Sequence, residues 1–238
     1  MRYALYFTPP MSDALQRTAS RWLGRNAFSG AALDHPDDAG LGIDEIAAIT
    51  EAPRRYGFHA TIKAPFALAD GLTKADLLSE IMHFCGELEP FELPPLRIER
   101  LGPFFALTPS APSPALQGFA DAVVRRFNRY HAPVSEADRA RRNVDRLSER
   151  QVAYLDSFGY PYVFEEFRFH MTLTGPVDAG DADRVEAALH QVFAPFLDKP
   201  VSVSNLALFV EPEKGAAFSV DSLHPLGSFK AARRTAAQ

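Results

Sequence analysis

Apolar and polar positions change period several times along this 238-residue chain. Tyr3 to Thr8 is an unbroken aromatic and aliphatic run stopped by Pro9-Pro10, which predicts a strand. Ser12 then offers a cap, and Leu15, Ala19, Trp22 and Leu23 share one helical face up to Gly24, predicting a helix over 13–23. Residues 25–53 carry little pattern beyond a short helix near 44–50, and a loop-rich connection is expected. A strand is predicted over 54–66, then a helix from a Thr73 cap to Cys85, then strands over 96–101 and 103–108 joined by a turn at Gly102-Pro103. Residues 109–114 form a Ser/Ala/Pro connector. An amphipathic helix follows over 115–130, with Leu116, Phe119, Val123, Phe127 and Tyr130 at helical spacing. A second helix is expected from Ser135 to Phe158. Its Arg139, Arg141, Arg142, Arg146 and Arg150 are nearly balanced by Glu136, Asp138, Asp145 and Glu149. That balance reads first as a solvated face and second as one or two arginines leaning over a cleft to hold an anion. A strand over 162–174, a helix capped by Asp181, and strands over 201–210 and 216–220 complete the pattern. A polar tail after Leu226, with Arg233-Arg234, is expected to fray.

The pattern contains a repeat. Residues 54–65 and 165–176 align without a gap, and both read Phe-His-x-Thr-x-x-x-Pro. The elements after each copy also match in order: strand, helix, strand, turn, strand. A two-copy duplication builds two α+β units. The expected architecture is one domain over 1–238, with two pseudo-symmetric lobes meeting near 109–114. Two small, mostly antiparallel sheets are expected to face each other across a central cleft, with helices outside and both histidines in the cleft.

Strand alternation sorts each copy into two faces. Arg55, Gly57, His59, Thr61 and Lys63 share one, as do Arg168, His170, Thr172 and Thr174. Phe58, Ala60 and Ile62, with Phe167, Phe169, Met171 and Leu173, take the other and suit a core. Two histidines in one cleft form an acid–base pair near neutral pH, each role worth roughly 10²–10⁴-fold in rate. His59 and His170 are therefore the candidate catalytic pair. Thr61 and Thr172 are candidate phosphate donors, and Lys63, Arg55, Arg168, Thr174 and Tyr6 are further substrate-contact candidates. The chemistry requires no metal or other cofactor and fits opening or forming a phosphodiester, above all a cyclic one. His35, His83, His131, His190 and His224 are too scattered for a zinc set. No P-loop, Rossmann glycine pattern or nucleophile elbow occurs.

Composition narrows the partners. A net charge of −5 weighs against long nucleic acid but leaves room for a small phosphorylated substrate. No apolar run approaches the ~20 residues of a membrane span, and the N-terminus does not read as a signal peptide. The single cysteine, Cys85, reads as a core residue and points to the cytoplasm. The oligomeric state is left open.

The strings His59-Ala60-Thr61-Ile62 and His170-Met171-Thr172-Leu173, with the duplicated order around them, resemble the two-histidine (2H) phosphoesterase superfamily. The resemblance implies a bilobal α+β fold and a metal-independent cyclic phosphodiesterase. Residues 53–66 and 167–176, with Arg146-Leu147-Ser148-Glu149-Arg150-Gln151, look closer to a bacterial family encoded with phosphonate-utilisation (carbon–phosphorus lyase) genes. That implies phosphonate metabolism and suggests a ribosyl cyclic phosphate as substrate. The alternatives are a non-catalytic protein that binds a phosphorylated metabolite, and an RNA 2′,3′-cyclic phosphodiesterase.

Overall fold

The computed structural model describes residues 1–227, and of Ala137, Asp138 and Arg141 the backbone alone. The expected fraying of the tail lies outside the described residues. Nine strands are described: β1 Arg2–Phe7, β2 Ala60–Phe66, β3 Phe91–Leu93, β4 Leu96–Leu101, β5 Phe104–Pro109, β6 Met171–Thr172, β7 Val201–Val203, β8 Asn205–Glu211 and β9 Ser219–Pro225. The helices are α1 Ala14–Leu23, α2 Ile43–Arg54, α3 Lys74–Glu87, α4 Pro114–Arg126, α5 Glu136–Arg141, α6 Glu149–Phe158 and α7 Ala182–Phe193. The fold is α+β.

The expected pair of facing sheets gives way to one seven-stranded sheet in the order β4-β5-β6-β2-β1-β8-β9, antiparallel throughout, and a separate β3-β7 ribbon. The cause is the bridge between β2 and β6, where Ala60 pairs with Met171 and joins what would be two sheets. These residues are equivalent in the two motif copies. Antiparallel pairing of equivalent residues sets a local twofold relation at that point. The hairpins are exchanged: β6 of the second copy lies beside β5 of the first, and β2 connects through β1 to β8.

The apolar face of each motif is buried as the alternation requires. Phe58, Ala60 and Ile62, and Phe169, Met171 and Leu173, enter the main core with Tyr3, Leu5 and Phe7 of β1 and the inner faces of α1, α3, α4 and α7. Burying a side chain such as Phe58 contributes about 1.5–3 kcal/mol. Polar ties then fix each motif in depth. Thr8 Oγ1 donates to the Phe58 carbonyl (2.8 Å), and Trp22 Nε1 donates to the Leu173 carbonyl (2.8 Å).

Several boundaries move for identifiable reasons. Asp13, not Ser12, caps α1, accepting the Leu15 and Gln16 N–H groups. The short helix expected near 44–50 is the 12-residue α2, which runs through Pro53 into the first motif copy. The helix expected from Ser135 to Phe158 is broken where Asn143 adopts φ 47° and where a Ser148–Gln151 capping box starts α6. The strand expected over 162–174 is mostly irregular: Phe164 has φ 54° in a short 3₁₀ turn, and only Met171–Thr172 pairs. Cys85 is buried and burial pushes its thiol up to about 12, as befits a core residue. Among the described residues, no helix is long and apolar enough to cross a membrane.

Candidate functional site

The Ala60–Met171 bridge sets the site's geometry. Carried one residue either way in antiparallel register, it puts His59 opposite Thr172 and Thr61 opposite His170. Such cross-strand neighbours stand about 4.5–5.5 Å apart at Cβ. The two His-x-Thr strings thus form a rectangle on the face of the sheet away from the main core.

Both imidazoles are held in the same way. His59 Nδ1 lies 2.8 Å from the Gly57 carbonyl, and His170 Nδ1 lies 2.8 Å from the Arg168 carbonyl. A carbonyl only accepts, so each Nδ1 carries the proton and each neutral ring has Nε2 as its acceptor. At His59 that nitrogen takes the Thr61 hydroxyl at 3.3 Å. Tyr6 stacks on the His59 ring at 3.9 Å between centroids, and Phe104 lies 5.9 Å from His170.

Gly57 makes the first anchor possible. Its φ is 76°, in the left-handed region, and a Cβ there would stand 2.5 Å from Ala27 Cβ. Gly57→Ala is expected to cost about 2 kcal/mol or more, as steric strain adds to the backbone penalty. Urea unfolding checks this, and an unchanged midpoint would contradict it.

His59, Thr61, Thr172 and Tyr6 line a cavity of about 640 Å³, together with Arg2, Arg55, Arg142 and Lys214. No carboxylate is among its lining residues, in a protein whose net charge is −5. His170 opens on an adjoining cavity of about 340 Å³, and Thr61, Phe104 and Tyr160 border both. Burial lowers the His59 pKa to about 4; the Gly57 carbonyl acts against this, and the charge of His170 adds to it. His59 is therefore neutral at pH 7. The unfolded chain protonates this histidine near pH 6.5 and the folded chain only near pH 4, so stability falls as pH drops through that window. After solvent screening, this contribution is expected to be about 2 kcal/mol. The difference between wild type and His59→Gln across that window measures it, and parallel pH profiles would contradict it.

The other expected site residues divide. Arg55 lines the cavity from just past the end of α2, not from a strand; it donates to Glu211 and, through Nε, to the Ala216 carbonyl at 3.0 Å. Arg168 is exposed and borders the smaller cavity. Thr174 lines the cavity but is fully buried, and its hydroxyl accepts the Phe105 N–H at 3.0 Å. Lys63 is the plain correction. It lines neither cavity, is 3% exposed, and lies 5.4 Å from the Phe66 ring centroid. Between Tyr6↔Thr61 and Leu5↔Lys63 the register slips by a residue, and that bulge takes Lys63 off the histidine face. Among the described residues nothing accepts from its ammonium, and burial lowers its pKa to about 8.

Sequence reasoning missed Arg2, Tyr56, Phe104, Tyr160 and Lys214. Each reaches the cavity from outside the motif faces, so no local period marks it. Arg142 was singled out only as one of a series of arginines. Its guanidinium lies 4.7 Å from the Tyr160 ring centroid at the cavity wall, so this one arginine leans over the cleft. No group of three or more metal-ligating side chains is assembled among the described residues.

A family model described as "Protein of unknown function (DUF1045)" matches residues 61–219. This chain belongs to the DUF1045 family. Two curated relatives, from Janthinobacterium sp. (strain Marseille) and Laribacter hongkongensis (strain HLHK9), are both named ribose 1,5-bisphosphate phosphokinase PhnN. The DUF1045 chain is 36% identical to the first over 221 residues and 35% identical to the second over 219. The matches take in 91% and 92% of this chain but 49% and 50% of the relatives, so the chain spans about half their length. Two solved structures align at lower similarity: TT0787 of Thermus thermophilus (TM-score 0.46, 13% identity) and a phosphoesterase (TM-score 0.40, 12% identity). They cover 95% and 94% of this chain and 98% of each of theirs, and neither likeness is close enough to bear on chemistry.

The relatives' names overturn the expectation of a phosphoric diester hydrolase. Proteins 36% and 35% identical over nine-tenths of the DUF1045 chain are named phosphokinases, and the cyclic phosphodiesterase reading and its RNA variant fall together. The physical reason is that the same His and Thr side chains suit several reactions, so a motif and a fold do not by themselves select one.

Proposed function

We propose that the DUF1045 chain holds a phosphorylated ribose in the His59–His170 cleft and serves as the sugar-phosphate site of a phosphokinase acting in phosphonate metabolism. One observation carries this reading: two equivalent His-x-Thr pairs hold their imidazoles in the same tautomer, and His59, Thr61 and Thr172 line a cavity with four cations and no carboxylate, beside the smaller cavity on which His170 opens. The two-histidine arrangement that the sequence resembles is kept, and its use is binding and orientation. Thr172 donates its hydroxyl to a non-bridging phosphate oxygen, and Thr61 does the same by leaving His59 Nε2, to which it donates in the free protein. Each neutral imidazole accepts through Nε2 from a phosphate or ribose hydroxyl, and donates when protonated. Arg2, Arg55, Arg142 and Lys214 offset the charge. The relatives' printed substrate, ribose 1,5-bisphosphate, supports the ligand class. The 238 residues contain no Gly-x-x-x-x-Gly-Lys-Ser/Thr loop, so the proposal concerns the sugar phosphate and not a nucleotide.

Calorimetric titration with ribose 1,5-bisphosphate, ribose 5-phosphate and unphosphorylated ribose tests the reading. Saturable binding of the phosphorylated sugars and none of ribose is expected. Equal binding of ribose, or no binding of any of the three, would overturn it.

A further inference from the structure

The larger cavity is also lined by a set of cations from outside the His-x-Thr strings. Arg2 comes from the start of β1, Arg55 from the end of α2, and Lys214 from the turn between β8 and β9. One acid organises them. Glu211, with its side chain wholly buried, accepts Arg2 Nε at 2.5 Å, a terminal nitrogen of Arg55, and the Gly215 N–H at 3.0 Å. The Ala216 carbonyl accepts Arg55 Nε at 3.0 Å, and the Arg55 carbonyl accepts the Phe218 N–H at 2.9 Å. The turn and both guanidiniums are thereby fixed before any ligand arrives.

The charge does not close. One buried carboxylate faces two guanidiniums, and Lys214 adds a third cation on the same wall. Among the described residues no acceptor engages the terminal nitrogens of Arg2. Fixed forks with unused donors, facing a cavity without carboxylates, suit the bidentate recognition of a phosphate.

We infer that Arg2, Arg55 and Lys214 form a second phosphate subsite, so that the cleft selects a sugar carrying two phosphates. One phosphate sits at the His59–Thr61–His170–Thr172 rectangle and the other at the Glu211-organised pair of arginines. This rests on the proposed sugar-phosphate reading and deepens it.

The experiment compares the affinities of ribose 1,5-bisphosphate and ribose 5-phosphate in wild type, Lys214→Met and Arg2→Lys. Lys214 is exposed, so its variant keeps the fold, and Arg2→Lys keeps a cation for Glu211 while losing the fork. Wild type is expected to prefer the bisphosphate by about 30-fold or more, and each variant to reduce that preference by about 10-fold. A preference unchanged in both variants would overturn the subsite. Wild type binding both sugars equally would overturn the subsite alone, leaving the cleft reading intact. Wild type binding neither sugar would overturn both.

Discussion

Thr61→Val combined with Thr172→Val is expected to weaken ribose 1,5-bisphosphate binding by about 10²–10⁴-fold while leaving the fold unchanged. Each threonine supplies one hydroxyl donor to an anionic oxygen, and a hydrogen bond to a charged group is worth about 1.5–3 kcal/mol. Two such bonds lost from one site give the stated range when their contributions add. The substitution is nearly isosteric, and both residues sit half-buried at the cavity wall, so no core atom is removed. Valine also suits a strand. The single variants separate the copies: if the twofold arrangement at Ala60–Met171 is functional, each alone costs a comparable share. Calorimetry on all three variants is the measurement. Wild-type affinity in the double variant would place the ligand elsewhere.

Lys63→Met is expected to stabilise the protein by up to about 3 kcal/mol at pH 7. The Lys63 ammonium is buried and, among the described residues, accepted by nothing; its pKa falls from 10.5 to about 8. A shift of that size corresponds to about 3 kcal/mol of penalty on the charged form. Methionine keeps the unbranched stem, fills the same apolar space and removes the charge. The sign follows from linkage. Between pH 8 and 10.5 the unfolded chain holds a proton that the folded chain has lost, so wild-type stability rises with pH through that window. The variant lacks that rise, and its advantage shrinks as the pH climbs. Denaturant unfolding at pH 7 and pH 10 reads both effects. A destabilised variant at pH 7 would show that Lys63 has a favourable role that this account misses.

Lys63 also shows where sequence reasoning reaches its limit. Period-two alternation placed Phe58, Ala60 and Ile62 in the core and His59 and Thr61 on the opposite face, and the fold has them so. The same rule carried Lys63 with them, because a bulge leaves no mark in the pattern of side chains. One slipped residue against β1 was enough to reverse its face. Arg55 shows the converse. It was assigned to a strand, lies at a helix end, and reaches the cavity regardless, because Pro53 does not stop α2 and Gly57 with positive φ turns the chain. Thr174 follows the alternation and lines the cavity, but its hydroxyl is occupied by the Phe105 N–H of β5. The duplication was legible because it repeats in order as well as in motif. Its joining into one sheet was not, since that rests on the single Ala60–Met171 bridge. Arg2, Tyr160 and Lys214 carry no local signal at all; tertiary packing alone brings them to the histidines.

The central claim is that two histidines 111 positions apart in the sequence act at one anion site. Long-range ¹H–¹⁵N spectra of the imidazoles, recorded while ribose 1,5-bisphosphate is titrated into wild type, test it most directly. An Nδ1–H, Nε2-acceptor tautomer is expected for His59 in the free protein at pH 7. The Nε2 resonances of His59 and His170 are then expected to shift together, with one shared midpoint. Ligand that saturates while either Nε2 stays unmoved would contradict the account.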